Sequence, residues 1–389
     1  MEFDFTWILL GLPIAFALGW LASRLDLRQM RLANRQAPRA YFKGLNYLLN
    51  EQQDQAIDAF IEAVQNDPDT SELHFALGNL FRRRGEYDRA VRVHEHLLSR
   101  ADLSVADRQR AQHGLALDYL KAGLLDRAEE ALRKLEGTSY EGQARMARMG
   151  IYERSREWPE ATEVARLLEK SGEVNFGVRM AHYQCEQARE WIQKGDAPAA
   201  IALLQTSLLS QPQAARPRIM LGQLLLSQGQ YRDAFDTLAI LFERHDSAAP
   251  LAATSLIKAA LSCEMTSAAS SLLEAHYLRQ PSIDVLNAIT ELTTTTRQVA
   301  GDTRSDAMLR YLQHLQKYPS LMAAVRWLTG ERPEHPSLPE PVLKALEHAT
   351  KPLARYRCAA CGFEAKEHFW HCPGCQAWDS YPPRRVEEI

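Results

Sequence analysis

The segment Ala56-Ile57-Asp58-Ala59-Phe60-Ile61-Glu62-Ala63 returns in altered form along the chain. It comes back as Ala90-Val91-Arg92-Val93-His94-Glu95-His96-Leu97 and as Ala128-Glu129-Glu130-Ala131-Leu132-Arg133-Lys134-Leu135. A fourth copy is Ala234-Phe235-Asp236-Thr237-Leu238-Ala239-Ile240-Leu241. The aligned alanines are Ala56, Ala90, Ala128, Ala161, Ala200, Ala234, Ala268 and Ala307, spaced by 34, 38, 33, 39, 34, 34 and 39 residues.

Other positions keep step with them. A glycine stands twelve before the alanine at Gly44, Gly78 and Gly222. A bulky residue stands nine before it at Tyr47, Phe81, Tyr119, Tyr152, Trp191 and Leu225. Gly85, Gly123, Gly195 and Gly229 fall where two helices would turn, and Pro68, Pro212 and Pro319 close units. Small residues let two helices approach, large ones fill the gaps, and Gly or Pro breaks the chain between them. A period near 34 is that of the tetratricopeptide repeat. The expected fold is all-α: a tetratricopeptide superhelix over residues 40–329 whose units must stack, because none buries its own apolar face. Thr293-Thr294-Thr295-Thr296 and the residues after it read as a loop, being poor helix formers. The concave face of such a stack commonly holds a peptide; the bland alternative is a rigid spacer.

Near the C-terminus, Cys358, Cys361, Cys372 and Cys375 form two C-x-x-C pairs ten residues apart. Two facing knuckles of this kind make a tetrahedral four-sulfur site, suited to one structural metal ion, zinc or iron. Four sulfurs leave no open position for water, so the site reads as structural rather than catalytic. Gly362 and Gly374 are expected to supply the positive φ of the knuckle turns. His368 and His371 are the alternative ligands. A module over 354–389 is too small for a self-sufficient core, so metal would supply much of its folding free energy, on the order of 10 kcal/mol. Phe363, Phe369, Trp370, Trp378 and Tyr381 either build a miniature core or dock the module on a neighbour. Residues 330–353 read as a Pro-rich linker and a short helix, brief enough for the module to fold back on the last repeats.

At the other end, residues 5–22 carry no charge, with Trp7 and Trp20 towards the two ends. As a helix they would span roughly 27 Å, close to a hydrocarbon core. Residues 1–23 therefore read as a transmembrane anchor. A cleaved signal peptide would begin with basic residues, whereas here Glu2 and Asp4 come first. Arg24, Arg28, Arg31, Arg35 and Arg39 follow, all on one side of a continuing helix over 24–39. Positive charge marks the cytoplasmic flank, so the bulk of the chain is expected on that side. Thiols there stay reduced and free for metal.

The 389 residues include 24% charged ones with a net charge of −3, which speaks against a nucleic-acid binder. Cys185 and Cys263 stand apart from the cluster and read as small buried apolar residues. The sequence contains no nucleophile elbow, phosphate-binding loop, H-E-x-x-H or dinucleotide fingerprint, and no enzyme is expected. His94 and His96 read as a packed and a solvated residue, and the acidic residues as solvated helix faces.

Anchor, repeat array and a Cys358-Ala-Ala-Cys361-Gly…His371-Cys372-Pro-Gly-Cys375 module together resemble the lipopolysaccharide assembly protein B family along the whole chain. The resemblance implies a rubredoxin-like module, also describable as a zinc ribbon, with its metal on Cys358, Cys361, Cys372 and Cys375. It implies a single-pass inner-membrane adaptor that brings the LpxC deacetylase to the FtsH protease and so regulates lipopolysaccharide synthesis. Other lipopolysaccharide biosynthetic or transport proteins are further implied partners. The alternative is a membrane-tethered scaffold that gathers those enzymes without a proteolytic role.

Overall fold

The computed structural model describes residues 41–67, 69–172, 175–297, 303–329 and 340–389, with Phe16 and Trp20. Apart from Phe16 and Trp20, the expected anchor lies outside the described residues, as do the basic segment, most of the Pro-rich linker and Pro68. No helix among the described residues is long and apolar enough to cross a membrane. The chain forms two compact units, Met1–Ser171 and Gly172–Ile389.

The first unit is built of helix pairs: α1 (41–49) with α2 (Gln53–Asn66), α3 (Ser71–Arg84) with α4 (Tyr87–Ser99), α5 (Val105–Ala122) with α6 (Leu125–Arg133), and α7 (Glu141–Ser155) with α8 (Trp158–Lys170). The second continues with α9 (Gly177–Gln193) and α10 (Ala197–Ser210), then α11 (Ala215–Ser227) and α12 (Tyr231–Glu243). After a short 3-10 turn, Ala249–Ala252, come α13 (Ala253–Ser262) and α14 (Thr266–Arg279). Next are α15 (Ile283–Arg297), α16 (Thr303–Lys317), α17 (Leu321–Thr329) and α18 (Glu340–Leu353). Two short antiparallel strands, β1 (Tyr356–Arg357) and β2 (Glu364–Ala365), open the C-terminal module.

One turn geometry joins the two helices of seven pairs. Its left-handed residue is Glu51, Gly85, Gly123, Arg156, Gly195, Gly229 or Glu264, with φ between 58° and 84°. Five residues on stands a small residue: Ala56, Ala90, Ala128, Ala161, Ala200, Ala234 or Ala269, all fully buried. Each donates its N–H to the carbonyl of the residue capping the second helix, closing the first α-helical turn. The seventh unit therefore centres on Ala269. The expected Ala268 is one residue off and only half-buried, because Glu264 makes the turn there where four other units use glycine. Ala307, the weakest expected position, is buried in α16.

The glycines twelve before the alanine face the bulky residue four after it. A Cβ on Gly44 would come within 2.8 Å of Phe60, one on Gly78 within 2.6 Å of His94, and one on Gly222 within 2.4 Å of Leu238. The small-to-large code therefore runs from one helix of a pair to the other. Trp191 breaks the rule for bulky residues, being 40% exposed, with the Lys194 ammonium over its ring.

Two further expectations need correction. Thr293–Thr296 belong to α15, not to a loop or insertion, while residues 298–302 of that stretch lie outside the described residues. The threonine hydroxyls donate to the carbonyls of Ile289, Thr290, Glu291 and Leu292, and the buried Ile289 and Leu292 hold the helix in the core. The acidic residues are not all solvated. Asp118 is fully buried in the first unit, accepting hydrogen bonds from Arg82 (2.7 Å) and the His94 ring (2.5 Å). His94 itself sits between Gly78 and Gly114. Cys185 is buried as expected, whereas Cys263 is partly exposed.

Candidate metal centre

The module follows α18 and turns on two matching knuckles. In the first, the N–H of Gly362 donates to the Cys358 carbonyl and that of Cys358 to the Phe363 carbonyl. Fourteen residues on, Gln376 donates to Cys372 and Cys372 to Ala377. The sulfur bonds repeat the same offset. Cys358 receives the N–H groups of Ala360 and Cys361, and Cys372 those of Gly374 and Cys375. Cys361 receives the N–H of Phe363, and Cys375 that of Ala377. Gly362 takes the left-handed conformation at φ 76°, and Gln376 fills the equivalent place at φ 60°. The expected Gly374 does not; it corresponds to Ala360 and lies against Phe363 and Cys361.

All four sulfurs lie within 4.8 Å of one another. Cys358 Sγ is 3.8 Å from Cys375 Sγ, and Cys361 Sγ is 3.7 Å from Cys372 Sγ. Metal–sulfur bonds of about 2.3 Å in a tetrahedron put sulfurs about 3.8 Å apart, so the quartet fits one zinc or iron ion. Cys358 and Cys372 are buried while Cys361 and Cys375 are exposed, so one side of such an ion would face solvent.

Burial opposes ionisation of Cys358, but the hydrogen bonds from Ser380 and the backbone outweigh it and bring the thiol down to about 6. At Cys361 the Phe363 N–H favours the thiolate, but desolvation and the neighbouring sulfurs outweigh it and push the thiol up to about 12. A quartet in which one thiolate resists the next calls for a cation to hold all four ionised. Neither histidine competes for that role. His368 Nε2 is 3.0 Å from the Tyr381 carbonyl and His371 Nε2 is 2.9 Å from the Gln376 carbonyl. Both rings therefore donate to backbone oxygen.

The aromatic residues split between the two uses open to them. Tyr381 is buried beside Cys372 in the module's own small core, with Tyr356. Trp370 packs on the core of the second unit. Trp378 stacks on His182 of α9 at 5.0 Å and meets Tyr183 edge-on. Asp379 accepts a hydrogen bond from His182 Nε2 at 2.9 Å. Arg216 of α11 reaches His182 and pairs with Glu186 at 2.5 Å. The module therefore reaches back to α9 and α11 as well as to the last repeats on which it was expected to fold.

The C-terminal tail adds a second fastening. Arg385 pairs with Asp284 at the start of α15 (2.9 Å) and donates to the Ala354 carbonyl (2.7 Å). Glu388 accepts the N–H of Ile283 at 2.6 Å, and Glu387 accepts those of Leu321 and Met322. Two free helix N-termini thus receive carboxylates, as the exposed N–H groups and helix dipole favour. Sequence reading missed His182, Arg216, Asp284, Glu387 and Glu388. Arg216 meets partners 30 and 34 residues back, but the others reach partners 65 or more residues away, at no fixed interval, so no spacing signals them.

Fold and site together define a tetratricopeptide-repeat protein carrying a four-cysteine, rubredoxin-like module. Residues 73–109 and 185–249 match the tetratricopeptide repeat, and residues 356–382 match the rubredoxin metal binding domain. The chain is 32% identical to lipopolysaccharide assembly protein B of Escherichia coli strain K12, over 97% of this chain and 98% of that protein. It is 27% identical to the Haemophilus influenzae protein of the same name, over 98% of both chains. The chain belongs to the lipopolysaccharide assembly protein B family. Among solved structures, a Parabacteroides merdae tetratricopeptide repeat protein is similar at 12% identity, over 75% of this chain and 98% of that one, with a TM-score of 0.27.

Proposed function

We propose that this protein is a membrane-anchored adaptor that regulates lipopolysaccharide synthesis by delivering the LpxC deacetylase to the FtsH protease. Its kinship along 97% of the chain with lipopolysaccharide assembly protein B carries the reading. In this reading residues 5–22 cross the inner membrane and the rest works on the cytoplasmic side, where the thiols stay reduced. Cys358, Cys361, Cys372 and Cys375 hold one zinc or iron ion. The ion neutralises the thiolates and fixes the knuckles, and the module then clamps α9, α15 and α17 into one surface. The repeats hold the client as a scaffold, and no catalytic step is assigned to them.

Depleting the protein is expected to lengthen the LpxC half-life and raise lipopolysaccharide. An unchanged half-life on depletion removes the proteolytic role. Protease shaving of spheroplasts is expected to spare the C-terminal module, and its digestion would overturn the orientation.

A further inference from the structure

Two cavities of about 240 and 340 Å³ open among α14, α15, α16 and the C-terminal tail. They share Pro281, His314 and Tyr318 and so form one cleft. Its floor includes Leu286 and Ile289 of α15, both buried, and Leu278 stands 80% exposed on its wall. Tyr318 is also exposed, while His314 is held from beneath by the Tyr277 hydroxyl at 2.6 Å.

The charges around this cleft do not balance. Arg279, Lys317 and Arg384 line it, are exposed, and form no ion pair among the described residues. The acidic residues that line it are already engaged. Glu274 pairs with Arg310 at 2.9 Å. Glu387 and Glu388 accept backbone N–H groups of α17 and α15. Arg384 still feels the Glu388 carboxylate beside it, whereas Arg279 and Lys317 stand exposed with no carboxylate partner among the described residues.

The chain's own acidic tail borders this surface, its carboxylates held by the N-termini of α15 and α17. The tail Val386-Glu387-Glu388-Ile389 is a short acidic peptide with apolar ends, and it is seated at one side of the cleft. We propose that the open remainder of the cleft binds a second acidic peptide segment, supplied by a partner protein. Its carboxylates meet Arg279, Lys317 and Arg384, and an apolar side chain covers Leu278 and Tyr318. The apolar floor comes from two side chains of one helix, which suits a side chain rather than an acyl chain. The inference names a partner chemistry for the adaptor reading. Peptide binding is measured directly, so its outcome is separate from that of client turnover.

The test uses the full-length, metal-loaded protein in neutral detergent and a fluorescent peptide of alternating glutamate and leucine. Binding is expected to weaken as salt is added. The double variant Arg279→Glu, Lys317→Glu is expected to bind about tenfold more weakly with unchanged metal content and helicity. Both residues are exposed, so the fold does not depend on them. Leu278→Asp provides a second variant, expected to weaken binding without touching a cation. Equal affinity of the double variant, or equal binding of a lysine–leucine peptide, overturns the proposal. So does displacement of the peptide by a short-chain soluble phosphatidylglycerol at lower concentration than by unlabelled acidic peptide, which would make the cleft an anionic-lipid site.

Discussion

The repeat pairs and the cysteine module reach order by different physics. In the first unit a glycine on one helix admits a bulky residue from the next, as Gly44 admits Phe60 and Gly78 admits His94. Shape is the code, and it operates over about one repeat. The module buries only Tyr356, Cys358, Cys372 and Tyr381 in its own core. Its order comes from twin sets of N–H···S bonds around a charge that an ion must neutralise, and from its seat on the repeats. A repeat can lose one contact and still pack on its neighbours, whereas the module has little to fall back on.

That contrast is broken most severely at the metal. Cys372→Ser, or chelation of the ion, is expected to remove binding energy on the order of 10 kcal/mol and unfold the module. Hydrogen exchange should then accelerate over 356–382 and leave α3 to α6 protected. Retained metal and unchanged exchange would speak against a structural four-sulfur site.

The largest effect expected in the array is at Asp118→Ala. It strands Arg82 beside a buried, unpaired His94, at a cost of about 3–5 kcal/mol. Thermal or urea unfolding of the first unit would show it, and cysteine-bound metal should be unaffected. A loss near zero would mean that the pair only fills space.

A pH scan probes a third environment. His276 is fully buried, and among the described residues neither ring nitrogen has a hydrogen-bond partner. Burial, then the nearby His245, pushes its pKa down to about 4, against the pull of Asp246. The unfolded chain takes up this proton near pH 6.5, before the folded one does. Stability from this site is therefore full above about pH 6.5 and is lost as pH falls from 6.5 towards 4. With solvent screening allowed for, the loss is on the order of 2 kcal/mol, and His276→Leu should flatten it. Denaturant midpoints of the two proteins across that window decide the matter.

The mildest change compares one turn in two settings. Arg156 and Gln376 sit left-handed where Gly123 and Gly362 serve elsewhere. Gly123→Ala is expected to cost about 1 kcal/mol, and Arg156→Gly to leave stability level or raise it by a few tenths. Equal losses from both substitutions would mean that the turn's φ is not what selects glycine.

Much of this was legible in advance because it is local. Ala56, Ala90, Ala128, Ala161, Ala200 and Ala234 mark their helices correctly, since packing of two adjacent helices imposes a fixed interval. The seventh unit slipped to Ala268 because Glu264 makes its turn without a glycine to show it. The threonine run was misread because propensity weighs each residue alone, while Ile289 and Leu292 anchor the helix that carries it. The four cysteines were legible as a set, since the knuckle geometry is written in two-residue gaps. Asp118 was not, because a buried carboxylate looks like any other until its partners are placed.

By itself, the sequence determined the helix pairs, their period and the sulfur quartet, all set by steric or coordination rules acting over short intervals. Only the tertiary structure decided where the module sits, which carboxylate is buried, and that Glu387 and Glu388 close two distant helix ends. Those contacts join residues up to 197 positions apart, as between His182 and Asp379. No interval links such residues, and their pairing follows from where the stacked helices bring the chain back upon itself.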